Sequence, residues 1–247
     1  MAGAIYIVGA GPGAADLLTL RAARLLAEAD VVLHDALVSE EVLALAPRAK
    51  RYNVGKRAGR PSVDQRFICR LLVRMGLRHR IVVRLKGGDP HLFARATEEI
   101  EACRAAGLTV STVPGVSAGF AAASALGVSL TARGVSRSVA FVTPTVARGA
   151  EANAHWAAAA AAADTAVIYM GALQADRVAA ALAENGVPVQ RPIALVESAS
   201  GSQERIVRGV LGDLTELCKQ LGDGPAVIVM GEAVAQAGAL ARGAHAA

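Results

Sequence analysis

Aromatic residues are scarce in this 247-residue chain, in which phenylalanine, tryptophan and tyrosine together make up 3% of the sequence. Single-stranded nucleic acids are bound largely by stacking their bases on aromatic side chains, and the chain has few such platforms. Arginines do recur every fourth residue, at Arg66, Arg70, Arg74 and Arg78. Binding of nucleic acid or of an anionic lipid surface is one interpretation of this stripe. With so few aromatic residues, we favour a solvated helix face and predict no nucleic-acid partner.

Cysteine and histidine are too few and too scattered to predict a disulfide framework or a metal site. Cys69, Cys103 and Cys218 are odd in number and far apart, and the five histidines show no ligand spacing. Structural zinc sites need closely spaced ligands, and small disulfide scaffolds are much richer in cysteine. We therefore predict reduced cysteines and no bound metal. The spacing of a Ser/His/Asp or Cys/His nucleophile motif is also missing.

Long apolar runs are missing as well, although 53% of the residues are hydrophobic and the mean hydropathy is +0.40. The longest candidate, residues 156–170, is mostly alanine and contains Asp164. It is shorter than the roughly 20 apolar residues that a membrane-spanning helix needs. The amino-terminal residues also lack the basic segment and cleavage site of a secretory leader. We expect a cytoplasmic protein with no membrane partner.

Short apolar runs alternate with helical patterns in the amino-terminal part of the chain. A β-branched run at residues 5–8 ends at Gly9, a helical pattern opened by Asp16 follows, and residues 31–33 form a second apolar run. A strand, a glycine turn, a helix and a second strand make a βαβ unit. Such units place their strands side by side in parallel. The pattern therefore predicts a parallel sheet with helices packed on it.

The alternation continues through the second half of the chain and indicates a second lobe. Two strand-like runs at residues 193–197 and 205–210 have no helix between them, so we expect an antiparallel hairpin there. We predict an α/β fold of two lobes, each a mainly parallel sheet flanked by helices. The lobes are placed at residues 1–114 and 115–236, and residues 237–247 are expected to form a flexible tail.

Three glycine-containing turns follow predicted strands. The first, residues 9–14, fits the G-x-G-x-x-G/A pattern of dinucleotide-binding folds, and Asp35 ends the next strand, where such folds place a ribose-binding acid. Pro12 weakens that interpretation, because proline has no N–H to donate to a pyrophosphate. The second turn, residues 87–89, and the third, residues 113–118, bring small residues and hydrogen-bonding groups to strand ends. We expect a small-ligand site at these turns. The alternative is a nicotinamide-dependent oxidoreductase, but its cofactor would not contact the second turn.

The order of these motifs resembles that of the tetrapyrrole methylase family. The segments that carry the resemblance are spread from about residue 4 to residue 235. They are residues 8–20, 29–39, 54–59, 83–90, 113–115 and 169–171. The resemblance implies a two-lobed, tetrapyrrole methylase-like fold with a ligand cleft between the lobes. It also implies a homodimer and S-adenosylmethionine as the methyl donor.

The same resemblance implies a reaction on a tetrapyrrole that carries carboxylate side chains. Two methyl groups would move from S-adenosylmethionine to pyrrole carbons of uroporphyrinogen III, which gives precorrin-2 and S-adenosylhomocysteine. Another precorrin is the alternative methyl acceptor. Because a methyl transfer needs carbon, methyl and sulfur in line, most of the acceleration would come from aligning the two ligands.

The resemblance further implies roles for particular residues. Asp35 would be the proton acceptor and Lys56 the proton donor, while Arg95 and Glu98 would contact the substrate. The sequence leaves open whether Asp35 or Arg95 is the base, and Met170 would contact both ligands. The residues implied as contacts of S-adenosylmethionine are Pro12, Gly87, Gly88, Asp89, Leu92, Ser117, Ala118, Met170 and Ala199.

The chain departs from the family pattern at several positions beside these residues. The positions that differ near the substrate residues and in the second lobe are Ala36, His91, Ala96, Thr97, Pro144 and Thr145. Ala199 also stands where the family carries a glycine. The implied methyltransferase class is unaffected by these changes. How the substrate is handled is left open by these changes.

Positive charge is concentrated in one part of the chain. Residues 48–86 contain 13 of the 26 lysines and arginines and one acid, Asp64, so they carry +12 while the rest carries −7, giving the net +5. Some of these cations, among them Lys56 and Lys86, lie beside the glycine turns. A substrate whose rim carries carboxylates would suit such a site. We therefore expect a positively charged substrate cleft.

Overall fold

The computed structural model describes residues 3–55, 64–145 and 155–235. The chain divides into two compact units, of which the first ends at Ser117 and the second begins at Ala118. Each unit contains a five-stranded sheet with helices, so the predicted α/β class is confirmed. The boundary lies beyond the predicted residue 114. The tail expected at residues 237–247 is outside the described residues.

The first unit is built on a wholly parallel sheet. Its elements are β1 (Ala4–Gly9), α1 (Leu20–Glu28), β2 (Val31–His34), α2 (Glu40–Ala44), β3 (Lys50–Asn53), α3 (Gln65–Gly76), β4 (Ile81–Lys86), α4 (Ala96–Ala105) and β5 (Thr109–Val113). The strand order is β3-β2-β4-β1-β5, and every neighbouring pair is parallel. The parallel sheet predicted for this lobe is confirmed. Its central strand, β4, is buried along its whole length.

Apolar side chains cover both faces of this sheet. On one face Val83 and Leu85 belong to a buried cluster that includes Leu26 of α1. On the other face Val82 belongs to a cluster that includes Leu72 of α3 and residues of α4. Neighbouring residues of a strand point to opposite faces, so β4 contributes to both clusters. Burial on both faces is the usual environment of a parallel strand.

The helix predicted to open at Asp16 begins four residues later, at Leu20. Residues Ala15–Leu17 form a separate 3-10 turn. Thr19 caps α1, because its Oγ1 accepts a hydrogen bond from Ala22 N at 3.2 Å. A threonine at this position satisfies one of the unpaired N–H groups of the first helical turn.

The second unit contains a mixed sheet. Its elements are α5 (Ala118–Leu126), β6 (Val139–Val142), α6 (His155–Ala162), β7 (Thr165–Tyr169), α7 (Ala175–Glu184), β8 (Pro192–Glu197), β9 (Arg205–Val210), α8 (Leu214–Cys218) and β10 (Ala226–Gly231). The strand order is β6-β7-β10-β8-β9. Only β6 and β7 pair in parallel, whereas β10 is antiparallel to both of its neighbours.

The prediction of a mainly parallel sheet for this second lobe is therefore wrong. The predicted hairpin of β8 and β9 is confirmed. A short connection without a helix reverses the chain direction at that hairpin. The last strand, β10, then inserts between β7 and β8. Among the described helices of both units, none is long and apolar enough to cross a bilayer.

Candidate functional site

The turns after β1 and β4 are hydrogen-bonded to each other. Gly88 N donates to Gly11 O at 2.8 Å, and Gly11 N donates to Gly88 O at 3.3 Å. Both residues have positive φ angles, 73° for Gly11 and 67° for Gly88, which glycine adopts at little cost. The first and second glycine turns thus form one surface at the carboxyl edge of the parallel sheet.

The turn after β5 packs against the other two so closely that side chains would not fit. A Cβ atom on Gly115 would lie 2.3 Å from Gly88 O, and one on Gly9 would lie 2.6 Å from Gly115 N. Asp89 reinforces this packing, because its Oδ2 accepts from Gly115 N at 2.9 Å and its Oδ1 accepts from His91 N at 2.8 Å. The structure therefore brings the three predicted turns together, as expected for parallel strands that end at one edge.

Gly87 differs from these interlocked glycines because it borders open space. A Cβ atom there would meet nothing closer than Leu37 Cβ, at 3.8 Å. A side chain at residue 87 would therefore extend without a clash into the space beside the turn, which is called the recess below. Of the other expected cofactor contacts of this unit, Pro12 and Leu92 are partly buried and Ser117 is buried. A glycine with room beside it lets a ligand approach the backbone closely.

Asp35 lies directly after β2, at the same edge of the sheet as the glycine turns. Its backbone N–H donates to Leu85 O at 3.1 Å, and its carbonyl accepts from Val38 N at 3.3 Å. The carboxylate Oδ1 accepts a hydrogen bond from Arg84 Nη2. The side chain of Asp35 is thus held by Arg84 and is 29% exposed.

Arg84 belongs to a buried cluster of charges that the sequence analysis did not identify. Its Nε donates to Glu99 Oε1 at 3.1 Å, and Lys86 Nζ donates to both oxygens of Glu99 at 3.1 Å. Gln65 Nε2 also donates to Glu99 Oε1, at 3.2 Å. The sequence did contain a signal for this cluster, because Arg84 and Lys86 lie two residues apart on an otherwise apolar strand. Buried charges need partners of opposite charge, so an acidic residue was to be expected nearby.

The environment of this cluster changes the acidity of both cations. Burial lowers the pKa of Arg84, but the charges of Asp35 and Glu99 outweigh it, and the pKa is raised. Burial and then the charge of Arg84 lower the pKa of Lys86, against the effect of Glu99. Lys86 is 3% exposed. The expectation that Lys86 supplies positive charge to a substrate cleft is therefore wrong, because its ammonium group is buried and paired.

Arg95 and Glu98 form a bidentate ion pair at the start of α4. Arg95 Nε and Nη2 each donate to one carboxylate oxygen of Glu98 at 2.8 Å. Both side chains are about half-exposed. The hydrogen bonds to Glu98 raise the pKa of Arg95, so its guanidinium remains a cation. The geometry favours Arg95 as an anchor for an anionic group and leaves Asp35 as the candidate base.

Positive φ angles at residues other than glycine occur at or beside expected site residues. Among the described residues these are Phe93 (53°), Arg95 (55°), Met170 (57°), Ser198 (49°) and Ser200 (66°). Such conformations cost free energy, on the order of 1–3 kcal/mol each, and cluster at functional sites. They therefore support a functional role for the segments that carry Arg95, Met170 and Ala199.

In the second unit the expected contacts lie at three strand- or helix-end positions. Ala118 begins α5, whose Gly119 N donates to Tyr169 Oη at 2.9 Å. Met170 follows β7 and is 48% exposed, whereas Ala199 follows β8 and is 5% exposed. Met170 and Ala199 belong to the second unit, which begins at Ala118, the last residue of the third turn. The predicted cleft between the lobes stays a prediction.

The remaining expectations concern Lys56, the arginine stripe and metal binding. Lys56, the expected proton donor, lies outside the described residues. Three of the four stripe arginines, Arg70, Arg74 and Arg78, line an open groove of about 610 Å³ whose other lining residues include Val73 and Ala102. In the described parts of the chain, no group of three or more His, Cys, Asp or Glu side chains is arranged to hold a metal ion.

The chain belongs to the tetrapyrrole (corrin/porphyrin) methylase family, whose model matches residues 4–215. It is 43% identical over 239 residues to the siroheme synthase of Tolumonas auensis, a match that covers 96% of this chain and 51% of that protein. It spans about half the length of the first siroheme synthases that it matches. Membership of a methylase family argues against the nicotinamide-dependent alternative.

Two relatives match over nearly their full lengths. The uroporphyrinogen-III C-methyltransferase of Pseudomonas aeruginosa is 41% identical over 233 residues, with 94% of each chain covered. A crystal structure of uroporphyrin-III C-methyltransferase from Thermus thermophilus, complexed with S-adenosylhomocysteine, superposes with a TM-score of 0.83. That protein is 39% identical, and the match covers 94% of this chain and 99% of the other.

Proposed function

We propose that this protein is an S-adenosylmethionine-dependent uroporphyrinogen-III C-methyltransferase, which transfers two methyl groups to uroporphyrinogen III and gives precorrin-2. The proposal is supported by the two full-length relatives that carry this name, at 41% and 39% identity. The Thermus thermophilus relative binds S-adenosylhomocysteine, which is S-adenosylmethionine without the transferred methyl group. Cytoplasmic location and a homodimer are part of the same proposal.

The interlocked glycine turns are the proposed binding site of the methyl donor. A ligand in the recess at Gly87 would contact main chain of the turn between β4 and α4, with Gly88 and Asp89 beside it. Pro12, Leu92 and Ser117 are the further contacts proposed from the first unit. Ala118, Met170 and Ala199 are those proposed from the second. When bound, S-adenosylmethionine supplies an electrophilic methyl group on a positively charged sulfur.

The substrate side of the site is proposed to use Asp35, Arg95 and Glu98. A pyrrole carbon that takes up a methyl cation leaves the ring positively charged, and a proton must then be lost. The side chain of Asp35 is partly exposed, and its carboxylate is the proposed acceptor. Arg95 is proposed to bind a substrate carboxylate, and Lys56 to donate a proton.

The decisive experiment is anaerobic incubation of the purified protein with enzymatically prepared uroporphyrinogen III and S-adenosylmethionine, followed by mass spectrometry. We expect singly and then doubly methylated product with equivalent release of S-adenosylhomocysteine. A folded protein that binds S-adenosylhomocysteine but yields no methylated product would contradict the proposed substrate. Light scattering after size-exclusion chromatography tests the homodimer.

A further inference from the structure

One end of the buried charge cluster reaches the surface, and that end is Asp35. The side chains of Arg84, Lys86 and Glu99 are 2%, 4% and 0% exposed, whereas Asp35 is 29% exposed. Arg84 bridges two carboxylates, with Nε on Glu99 and Nη2 on Asp35. Its Nη1 also donates to Leu85 O at 3.0 Å. The guanidinium is thus fixed at several atoms before it meets Asp35.

The cluster connects three segments that carry proposed site residues. Arg84 and Lys86 lie on β4, immediately before the Gly87 turn, and Asp35 follows β2. Glu99 lies on α4, next to Glu98 and one turn from Arg95. Because side chains at alternate strand positions face the same side, Arg84 and Lys86 both point toward Glu99. The buried carboxylate of Glu99 therefore lies between the Gly87 turn, the candidate base Asp35 and the expected substrate contact Arg95.

We propose that Arg84, held by Glu99, whose carboxylate also binds Lys86, is a positioning residue that fixes the carboxylate of Asp35 relative to the Gly87 turn and to the Arg95–Glu98 pair. The inference rests on the proposed function, because it assumes that Asp35 accepts a proton in that reaction. An arginine suits the role because its planar group presents several donors in fixed geometry. A lysine, with one compact ammonium group, would not hold both carboxylates in the same way.

The charges of the cluster indicate which variant should fold. Removing one partner of a buried ion pair is strongly destabilising when it leaves a buried charge alone. In Arg84→Met the carboxylate of Glu99 keeps both hydrogen bonds from Lys86, and the side chain of Asp35 is partly exposed. Arg84→Met therefore removes the bridge without leaving a buried charge unpaired. Glu99→Gln would leave two buried cations with one carboxylate, so it is the poorer choice.

The test is a double-mutant cycle on the intact protein with Arg84→Met, Asp35→Asn and the double variant. We expect Arg84→Met to lower kcat about 100-fold, the scale of a small misplacement of a reacting group. The KM for uroporphyrinogen III and the affinity for S-adenosylhomocysteine should change by less than about threefold, as for a loss confined to the transition state. The double variant should turn over no more slowly than Asp35→Asn alone, because Arg84 acts through Asp35.

Three controls separate positioning from stability and from the proposed function. Asp30→Asn changes a carboxylate at the opposite edge of the same sheet, where Oδ2 accepts from Ile81 N at 2.8 Å, and should leave kcat unchanged. Arg84→Lys should remain close to Arg84→Met in kcat. Multiplicative losses in the double variant, full activity of Arg84→Lys or full activity of Asp35→Asn would each overturn the inference. Wild-type protein that binds S-adenosylhomocysteine but does not methylate would overturn the proposed function and the inference together.

Discussion

At the residue scale, Asp89 has both a structural role in the glycine turns and a proposed role in binding the ligand. Both carboxylate oxygens accept backbone N–H groups, from His91 at 2.8 Å and from Gly115 at 2.9 Å. Each oxygen has a second lone pair, so a ligand hydroxyl or amine can bind without displacing these partners. Asp89 thus shapes the turns that form the recess and remains an acceptor for a ligand. Its substitution would combine a loss of folding with a loss of binding.

The glycines allow the two effects to be separated. Gly87→Val should fold normally and bind S-adenosylhomocysteine at least about tenfold more weakly, a loss of roughly 1.4 kcal/mol, because the new side chain fills the recess. Gly115→Ala should instead lower the free energy of unfolding by about 1–3 kcal/mol, because its Cβ collides with Gly88 O. Calorimetric titration measures the first and chemical denaturation the second. Wild-type affinity in Gly87→Val would rule out this recess as the ligand site.

Cys103 offers a second test at this scale. Burial, with smaller effects of Cys69 and Glu99, raises the pKa of its thiol to about 12. The thiolate is the reactive form, so Cys103 should resist a disulfide reagent at pH 8 and react after unfolding. Because the folded pKa lies above that of the unfolded chain, its stabilising contribution is complete below pH 9 and is lost as the pH rises toward 12. A Cys69→Ala/Cys218→Ala variant leaves one thiol to measure, and rapid labelling of it in the folded protein would contradict the prediction.

At the scale of elements, Asp164 connects the segment before β6 to the start of β7. Its Oδ2 accepts from Arg137 N at 2.8 Å and from Ser138 N and Oγ at 3.0 Å. The hydrogen bond from Arg137 N, followed by those from Ser138, lowers the pKa of Asp164 from 3.8. A folded pKa below that of the unfolded chain means that the contribution to stability is present above pH 3.8 and is lost as the pH falls through the folded value.

Asp164→Asn should therefore lower the melting temperature near neutral pH. The difference from the wild type should shrink and vanish as the pH falls below 3.8, where the wild-type carboxylate also becomes neutral. Glu216→Gln is the matched control, because Glu216 is an exposed carboxylate paired with Lys219, and such pairs contribute little. Thermal denaturation of the three proteins across this pH range makes the comparison. A constant difference at all pH values would show that the charge of Asp164 is not responsible.

Elements with a clear apolar signal were predicted well from the sequence, and elements without one were not. The strand β1 and the hairpin of β8 and β9 were placed within about a residue. By contrast β3 reads Lys-Arg-Tyr-Asn and is exposed throughout, so no apolar run marks this edge strand. The helix α5 is almost wholly small and apolar, so it has no periodic polar face. The position of β10 between β7 and β8 depends on pairing between distant strands, which local patterns do not encode.

In the candidate site, too, some residues could be predicted from the sequence and others could not. The glycine turns and Asp35 were predictable because parallel strands end at one edge of the sheet. Glu99 was not predicted, because it lies among Glu98 and Glu101, and only its position between the buried Ala96 and Cys103 shows that it faces the core. A glutamate at a core-facing helix position and two cations in a buried strand are complementary signals. Only the structure shows that Glu99 pairs with Arg84 and Lys86.

At the scale of the whole molecule, the described cations of the basic residues 48–86 include two contrasting groups. Arg84 and Lys86 belong to the basic residues 48–86, yet their charges are balanced by Asp35 and Glu99 inside the first unit. The arginines on and after α3 are exposed and surround an apolar groove. Of these two groups, the stripe carries its positive charge at the surface and the cluster does not. Any attraction to polyanions should therefore depend on the stripe.

This dependence can be measured with Arg70→Gln/Arg74→Gln/Arg78→Gln. The wild type should be retained weakly on heparin and released by modest salt, and the triple variant should elute earlier, since each lost contact lowers the salt dependence by about one unit. Methylation of uroporphyrinogen III should be unchanged, because the groove that Arg70, Arg74 and Arg78 line includes no glycine-turn residue among its lining residues. Lys219→Gln, which removes an exposed cation from the second unit, is the control and should leave heparin retention nearly as in the wild type. Equal retention of wild type and triple variant would place polyanion binding elsewhere, and a loss of methylation would make the arginine groove part of the substrate site.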